Sequence, residues 1–201
     1  MIDWLRIAED LVSSPWLYLI LIAVSLLDSF LPAIPSEPVI VIAGVYAASG
    51  ETQLLPVIAA TTLGAFMGDM VPYGLGRLMA DRVVKHLPPG TKRRKAHDWL
   101  RSELDTRAGY VLITSRFIPV GRYLVTLTAG VTCLAWPKFA GYTAISCSAW
   151  STYTVMAGYA GGTLFQDNAF IGIGVGIGLA ILIGVAMEGT RFVHRRWAGE
   201  R

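Results

Sequence analysis

Charge is scarce in this chain. Asp, Glu, Lys and Arg make up 15% of its 201 residues, where a soluble domain carries about a quarter. Histidine is scarcer: His86, His97 and His194 all lie in basic polar stretches. The apolar blocks therefore offer no imidazole base, and no nucleophile–base pair is visible around Thr114 or Ser115. We expect no enzyme activity and no cofactor. The two cysteines, Cys133 and Cys147, sit in apolar surroundings and read as small buried residues, with no disulfide or metal spacing. A cleavable leader is not expected, because Asp3, Glu9 and Asp10 interrupt what would be its basic start.

Apolar sequence is what the chain has in excess. Hydrophobic residues make up 54%, and the mean hydropathy is +0.53. They fall in blocks over about 16–27, 39–48, 54–70, 110–135, 139–165 and 170–187. Crossing a bilayer core of about 30 Å takes about 20 helical residues. The longer blocks meet that length, and the pattern predicts an integral membrane protein. Positive charge is clustered at Arg82–Arg107 and at Arg191–Arg201. In a membrane protein such clusters mark the cytoplasmic side and attract anionic lipid; we expect no nucleic-acid partner.

Two apolar blocks are broken. Residues 28–50 contain Pro32, Pro35 and Pro38, followed by only about ten apolar residues, too few for an ordinary span. Residues 110–135 contain Pro119 and Gly121 beside two arginines, Arg116 and Arg122. Each arginine placed at membrane depth costs at least about 2.5–3.5 kcal/mol. A guanidinium stays charged, so each needs a partner, a wet cavity or an anionic ligand. Both broken segments lead into an Ala-Gly-Val triplet, at Ala43–Val45 and Ala129–Val131. Paired interruptions of this kind point to a transport site between inverted repeats.

With the basic clusters inside, the pattern predicts an all-α integral membrane protein. It has about four transmembrane helices and two oppositely facing re-entrant broken helices. Residues 1–14 form an interfacial helix, 81–107 a basic cytoplasmic loop with a surface helix over 92–103, and 189–201 a basic cytoplasmic tail. Both termini are cytoplasmic. The Gly-rich last helix permits packing into a homo-oligomer.

The candidate site follows from the same charges. Arg116 and Arg122 suit a phosphate, which guanidinium forks bind bidentately. Glu37 and Asp69 are expected to balance them, or to carry protons. Asp28 and Arg77 are secondary candidates that interfacial positions would also explain. Tyr73 reads as a packing or hydrogen-bonding residue. A purely structural lattice of Glu37–Arg122 and Asp69–Arg116 pairs is the competing reading.

These residues resemble the DedA family, whose domain is also called VTT. The likeness rests on Pro32-Ala-Ile-Pro-Ser-Glu37 with Ala43-Gly44, on Gly64 with Gly68-Asp69, and on Tyr73-Gly-Leu-Gly-Arg77. Its strongest piece is Arg116-Phe-Ile-Pro-Val-Gly-Arg122 with Ala129-Gly130; Phe139 and Trp150 follow. Ser146, Cys147 and Ser148 stand where the family often has an amide residue ahead of the Trp150 position. The resemblance implies lipid translocation in a bacterial inner membrane, with undecaprenyl phosphate recycling as the first expectation. It also implies activity at Glu37, Asp69, Arg116 and Arg122, and proton coupling has been proposed for the family. A phospholipid flippase or scramblase, or an ion-coupled small-solute transporter, remains open beside it.

Overall fold

A computed structural model describes residues 14, 16–30, 36–116, 119–164 and 178. Every regular element among them is helical: α1 (Trp16–Phe30), α2 (Glu37–Ala48), α3 (Leu54–Lys85), α4 (Lys92–Ser115), α5 (Pro119–Val131) and α6 (Trp136–Leu164). The expected interfacial helix over 1–14, the last helix over 170–187 and the tail over 189–201 lie outside the described residues.

Among the described residues, α3 is the one helix long and apolar enough to cross a membrane by itself. It has 32 residues and carries Pro72 in its interior without ending there. α2 and α5 have 12 and 13 residues. At 1.5 Å per residue they reach about 18–20 Å, short of a bilayer core. Proline sits in the first turn of both, where a missing N–H costs nothing.

The stretch expected as a polar loop over 81–107 is largely helical. α3 continues to Lys85, and α4 begins at Lys92. Thr91 caps α4 by accepting from the Arg94 N–H at 3.2 Å. The surface helix expected to end near residue 103 runs on to Ser115, broken at Arg107 (φ −134°, ψ 34°). That break falls where the charged sequence gives way to the apolar one.

The chain forms two compact units. The first comprises Met1–Leu21, Ser36–Thr61 and Ser151–Arg201. Within it, α2 lies along the end of α6. A Cβ on Gly44 would overlap the Val155 carbonyl, and one on Gly158 the Val41 carbonyl. Small residues thus let two backbones meet, the usual basis of helix contact in lipid.

The second unit comprises Ile22–Pro35 and Thr62–Trp150. Here α3 is the hub. Gly64 and Gly68 pack against Ile22 and against Leu26 and Ser29 of α1. Gly76 and Gly130 form the crossing of α3 with α5, where added Cβ atoms would run into the Leu127 and Tyr73 carbonyls. Both neighbours of α3 run parallel to it: Gly64 meets Ile22 and Gly68 meets Leu26 and Ser29 on α1, while on α5 Asp69 meets Arg122 and, further along both helices, Gly76 meets Leu127 and Val131. This arrangement matters for charge. Asp69 follows Gly68, at the contact with α1 that carries Asp28. Arg122 lies two turns before the crossing on α5, facing the same side.

The end of α5 is tied down by a separate node. The Cys133 N–H bonds to Gly130 O and the Leu134 N–H to Ala129 O, at 2.9 and 3.0 Å. This is a Schellman cap, with Cys133 at φ 56° where glycine is usual. The Tyr73 hydroxyl donates to Leu134 O at 2.7 Å, and Arg77 donates to both oxygens at 3.0 and 3.2 Å. The Tyr73 ring stacks on Phe139 with centroids 4.1 Å apart.

Candidate functional site

The second unit buries four charges together. Arg116 ends α4, at the turn before α5. Its Nη1 donates to Asp69 Oδ2 at 2.5 Å, with both side chains under 5% exposed. Arg122 donates through Nη2 to the Asp28 main-chain carbonyl at 2.7 Å. Its Nη1 stands 3.6 Å from the Asp28 carboxylate, and its Nε 3.9 Å from Asp69 Oδ1. Asp69 therefore lies between the two arginines, and Asp28 anchors the second. Two guanidinium and two carboxylate groups sum to zero formal charge.

The lattice is not saturated. Among the described residues, Arg116 Nε and Nη2, Arg122 Nε and Asp69 Oδ1 are buried without a hydrogen-bond partner. Nε and Nη2 of one guanidinium form its side-on edge, two parallel N–H bonds spaced for two oxygens of one anion. Leaving buried polar groups unpaired costs about 1–3 kcal/mol each, more for charged groups. So the Arg116 edge has the donor geometry for an oxyanion, in a place where water screens little.

α6 supplies two neighbours that sequence reasoning did not place. Cys147, fully buried, stands with Sγ 3.6 Å from Asp69 Oδ2. The Trp150 ring lies under the Arg116 guanidinium, 5.0 Å from carbon to centroid, within cation–π range. Their i, i+3 spacing puts both on one face of the helix. That spacing was the signal available, but without coordinates nothing ties it to Asp69.

The sequence candidates separate into groups. Arg116, Arg122, Asp69 and Asp28 come together. Asp28, ranked second from sequence, holds Arg122 in the position expected for Glu37. Glu37 opens α2 in the first unit with an exposed side chain. Tyr73 and Arg77 form the separate node at Leu134. Among the described residues no group of three or more His, Cys, Asp or Glu side chains is placed to hold a metal ion.

A helical membrane protein with a neutral, buried and partly unpaired ion lattice is the class this fold and site define. The family model described as the VTT domain matches residues 13–160. The chain belongs to the VTT-domain family, the DedA family. It is similar to Protein DedA of Escherichia coli K12, at 29% identity over 85% of this chain and 81% of that one. It is also similar to the Staphylococcus aureus protein named undecaprenyl phosphate transporter A, at 26% identity over 88% of each. A Lactococcus lactis relative, at 26% identity over 80% of this chain and 78% of its own, bears the name alkaline phosphatase-like protein. No solved structure matches.

Proposed function

We propose that this protein carries a phosphate-bearing lipid across the bacterial inner membrane, with undecaprenyl phosphate as its substrate. The observation that carries the reading is the open side-on edge of Arg116, buried beside Asp69 and Arg122. Arg116 and Arg122 bind the phosphate, and the polyprenyl tail stays in lipid. Asp69 and Asp28 balance the arginines while the site is empty.

A phosphate adds negative charge to a lattice that is formally neutral. A proton taken up with the phosphate restores neutrality, and this couples transport to protons. The short α2 and α5 act as the return limbs of two re-entrant hairpins entering from opposite faces, with about four spanning helices around them. The basic α4 lies at the cytoplasmic surface on anionic lipid, and the basic C-terminus is on that side. The substrate is supported by the name of the Staphylococcus aureus relative, together with the donor geometry of Arg116.

The test is reconstitution in liposomes. Transbilayer movement of labelled polyprenyl phosphate is expected, and Arg116→Gln and Arg122→Gln each abolish it while leaving the fold intact. Movement of phosphatidylethanolamine in preference to the polyprenyl phosphate would replace the substrate. Release of inorganic phosphate from the lipid would replace transport by hydrolysis. Normal transport by both arginine variants would overturn the site.

A further inference from the structure

The proposed function leaves one feature of the lattice unaccounted for: why the Arg116 guanidinium keeps its side-on edge open. Asp69 offers two oxygens to a flexible arginine. A bidentate pair, with two parallel N–H···O bonds, is the usual result. Here Arg116 meets Asp69 through Nη1 alone, and Nε and Nη2 stay unpaired in a side chain only 2% exposed. Something must hold the guanidinium plane and the carboxylate away from that pairing.

Both restraints come from one face of α6. Trp150 lies against the flat side of the guanidinium, 5.0 Å from it and itself 5% exposed. An indole face attracts the cation and fixes the plane, but it takes none of the in-plane N–H bonds. Cys147 acts on the partner. Its thiol donates to Asp69 Oδ2, the same oxygen that accepts from Arg116. The bond is weak, yet it leaves Oδ1 turned toward Arg122 Nε at 3.9 Å rather than toward Arg116.

We propose that Cys147 and Trp150 are positioning residues, which together hold the Asp69–Arg116 pair single-bonded and keep the Nε/Nη2 edge of Arg116 free for an oxyanion. For its functional consequence this rests on the lipid-phosphate reading above. Trp150 sets the plane; Cys147 sets the carboxylate. Neither touches the anion. Without them Arg116 swings into the bidentate pair and the site closes on itself.

Two readouts separate this proposal from that reading. The first needs no substrate: the Nε–H resonance of Arg116 in selectively labelled protein, identified as the signal lost in Arg116→Lys. Trp150→Leu and Cys147→Ala are each expected to move it, and Trp150→Phe and Cys147→Ser to restore most of its position. The second is KM for labelled polyprenyl phosphate in liposomes. Trp150→Leu is expected to raise KM roughly three- to thirtyfold, the span from an exposed to a desolvated cation–π contact. Trp150→Phe recovers most of that loss, and Cys147→Ala weakens binding more than Cys147→Ser.

If the resonance responds but the wild-type protein moves no lipid phosphate, the transport reading falls and the positioning role stands. If the wild-type protein transports but Leu matches Phe and Ala matches Ser in both readouts, the positioning role is wrong. Should Trp150→Leu fail to fold, the Cys147 pair carries the test alone. Ala and Ser differ there by one donor atom.

Discussion

Replacing Asp69 by asparagine tests the centre of the lattice. Its side chain is 4% exposed and that of its partner Arg116 2%, so solvent screens the pair little. Two unit charges about 4 Å apart attract by about 4 kcal/mol at an effective dielectric of about 20. Asparagine keeps the shape and one acceptor, but leaves a guanidinium buried without its counter-ion. Breaking a buried pair from one side costs about 3–5 kcal/mol. Asp69→Asn is expected within that range.

Asp28→Asn is the comparison. It removes a carboxylate 3.6 Å from Arg122, but the 2.7 Å bond from Arg122 to the Asp28 main-chain carbonyl survives any side-chain change. A smaller loss, about 1–3 kcal/mol, is expected. The double variant Asp69→Asn with Arg116→Met removes both charges. It should fall short of the sum of the single losses by about 2–3 kcal/mol. Equilibrium unfolding in mixed micelles measures all of these. A loss below about 1 kcal/mol for Asp69→Asn, or simple additivity in the cycle, would refute the buried ion pair as described.

Other parts of the fold give further tests. Gly130→Ala and Gly76→Ala force a Cβ onto a neighbouring carbonyl and should each cost about 1–3 kcal/mol in thermal unfolding. Gly74→Ala, on the same helix with open space around it, should instead gain up to about 1 kcal/mol. Cys133→Gly relieves the left-handed backbone at the end of α5 and should stabilise by about 1 kcal/mol. Tyr73→Phe removes the donor to Leu134 O and should cost about 1 kcal/mol, with Arg77 keeping its own bond to that carbonyl. At the surface, the His97 hydrogen bond, with help from Arg94, holds the Asp98 carboxyl below its ordinary range. A lowered carboxylate pKa stabilises above the ordinary range and is lost as pH falls through the lowered value. Amide protection in the first two turns of α4, taken relative to the intrinsic exchange rate at each pH, should therefore fall below that range, and Asp98→Asn should remove that fall.

The charges of the candidate site were legible before the structure. Intramembrane charge is costly enough that Arg116, Arg122, Asp69 and Asp28 stand out in apolar sequence with no alignment. Their pairing was not legible. Arg122 could be matched to Glu37 by the repeated Ala-Gly-Val triplets, but the glycines of α3 lay α1 against it and bring Asp28 there. Arg77 read as a secondary candidate near a membrane edge. Its role at the Leu134 cap depends on where α5 stops, and a cysteine in a glycine's usual place hides that stop. The charged and apolar halves of α4 read as separate elements, and the backbone does break between them at Arg107, but that helix resumes directly after the break was not legible.

By itself the sequence determined that this is a helical membrane protein, where its helices break, and which charges need an explanation. Those conclusions follow from local quantities: hydropathy, proline geometry and the free energy of burying charge. Only the tertiary structure decided which carboxylate meets which arginine, that Cys147 and Trp150 border the pair, and that one edge of Arg116 is left open. These depend on distances of a few ångströms between residues up to 94 positions apart. Those distances are set where glycine backbones touch. No local pattern in the chain encodes which surfaces those will be.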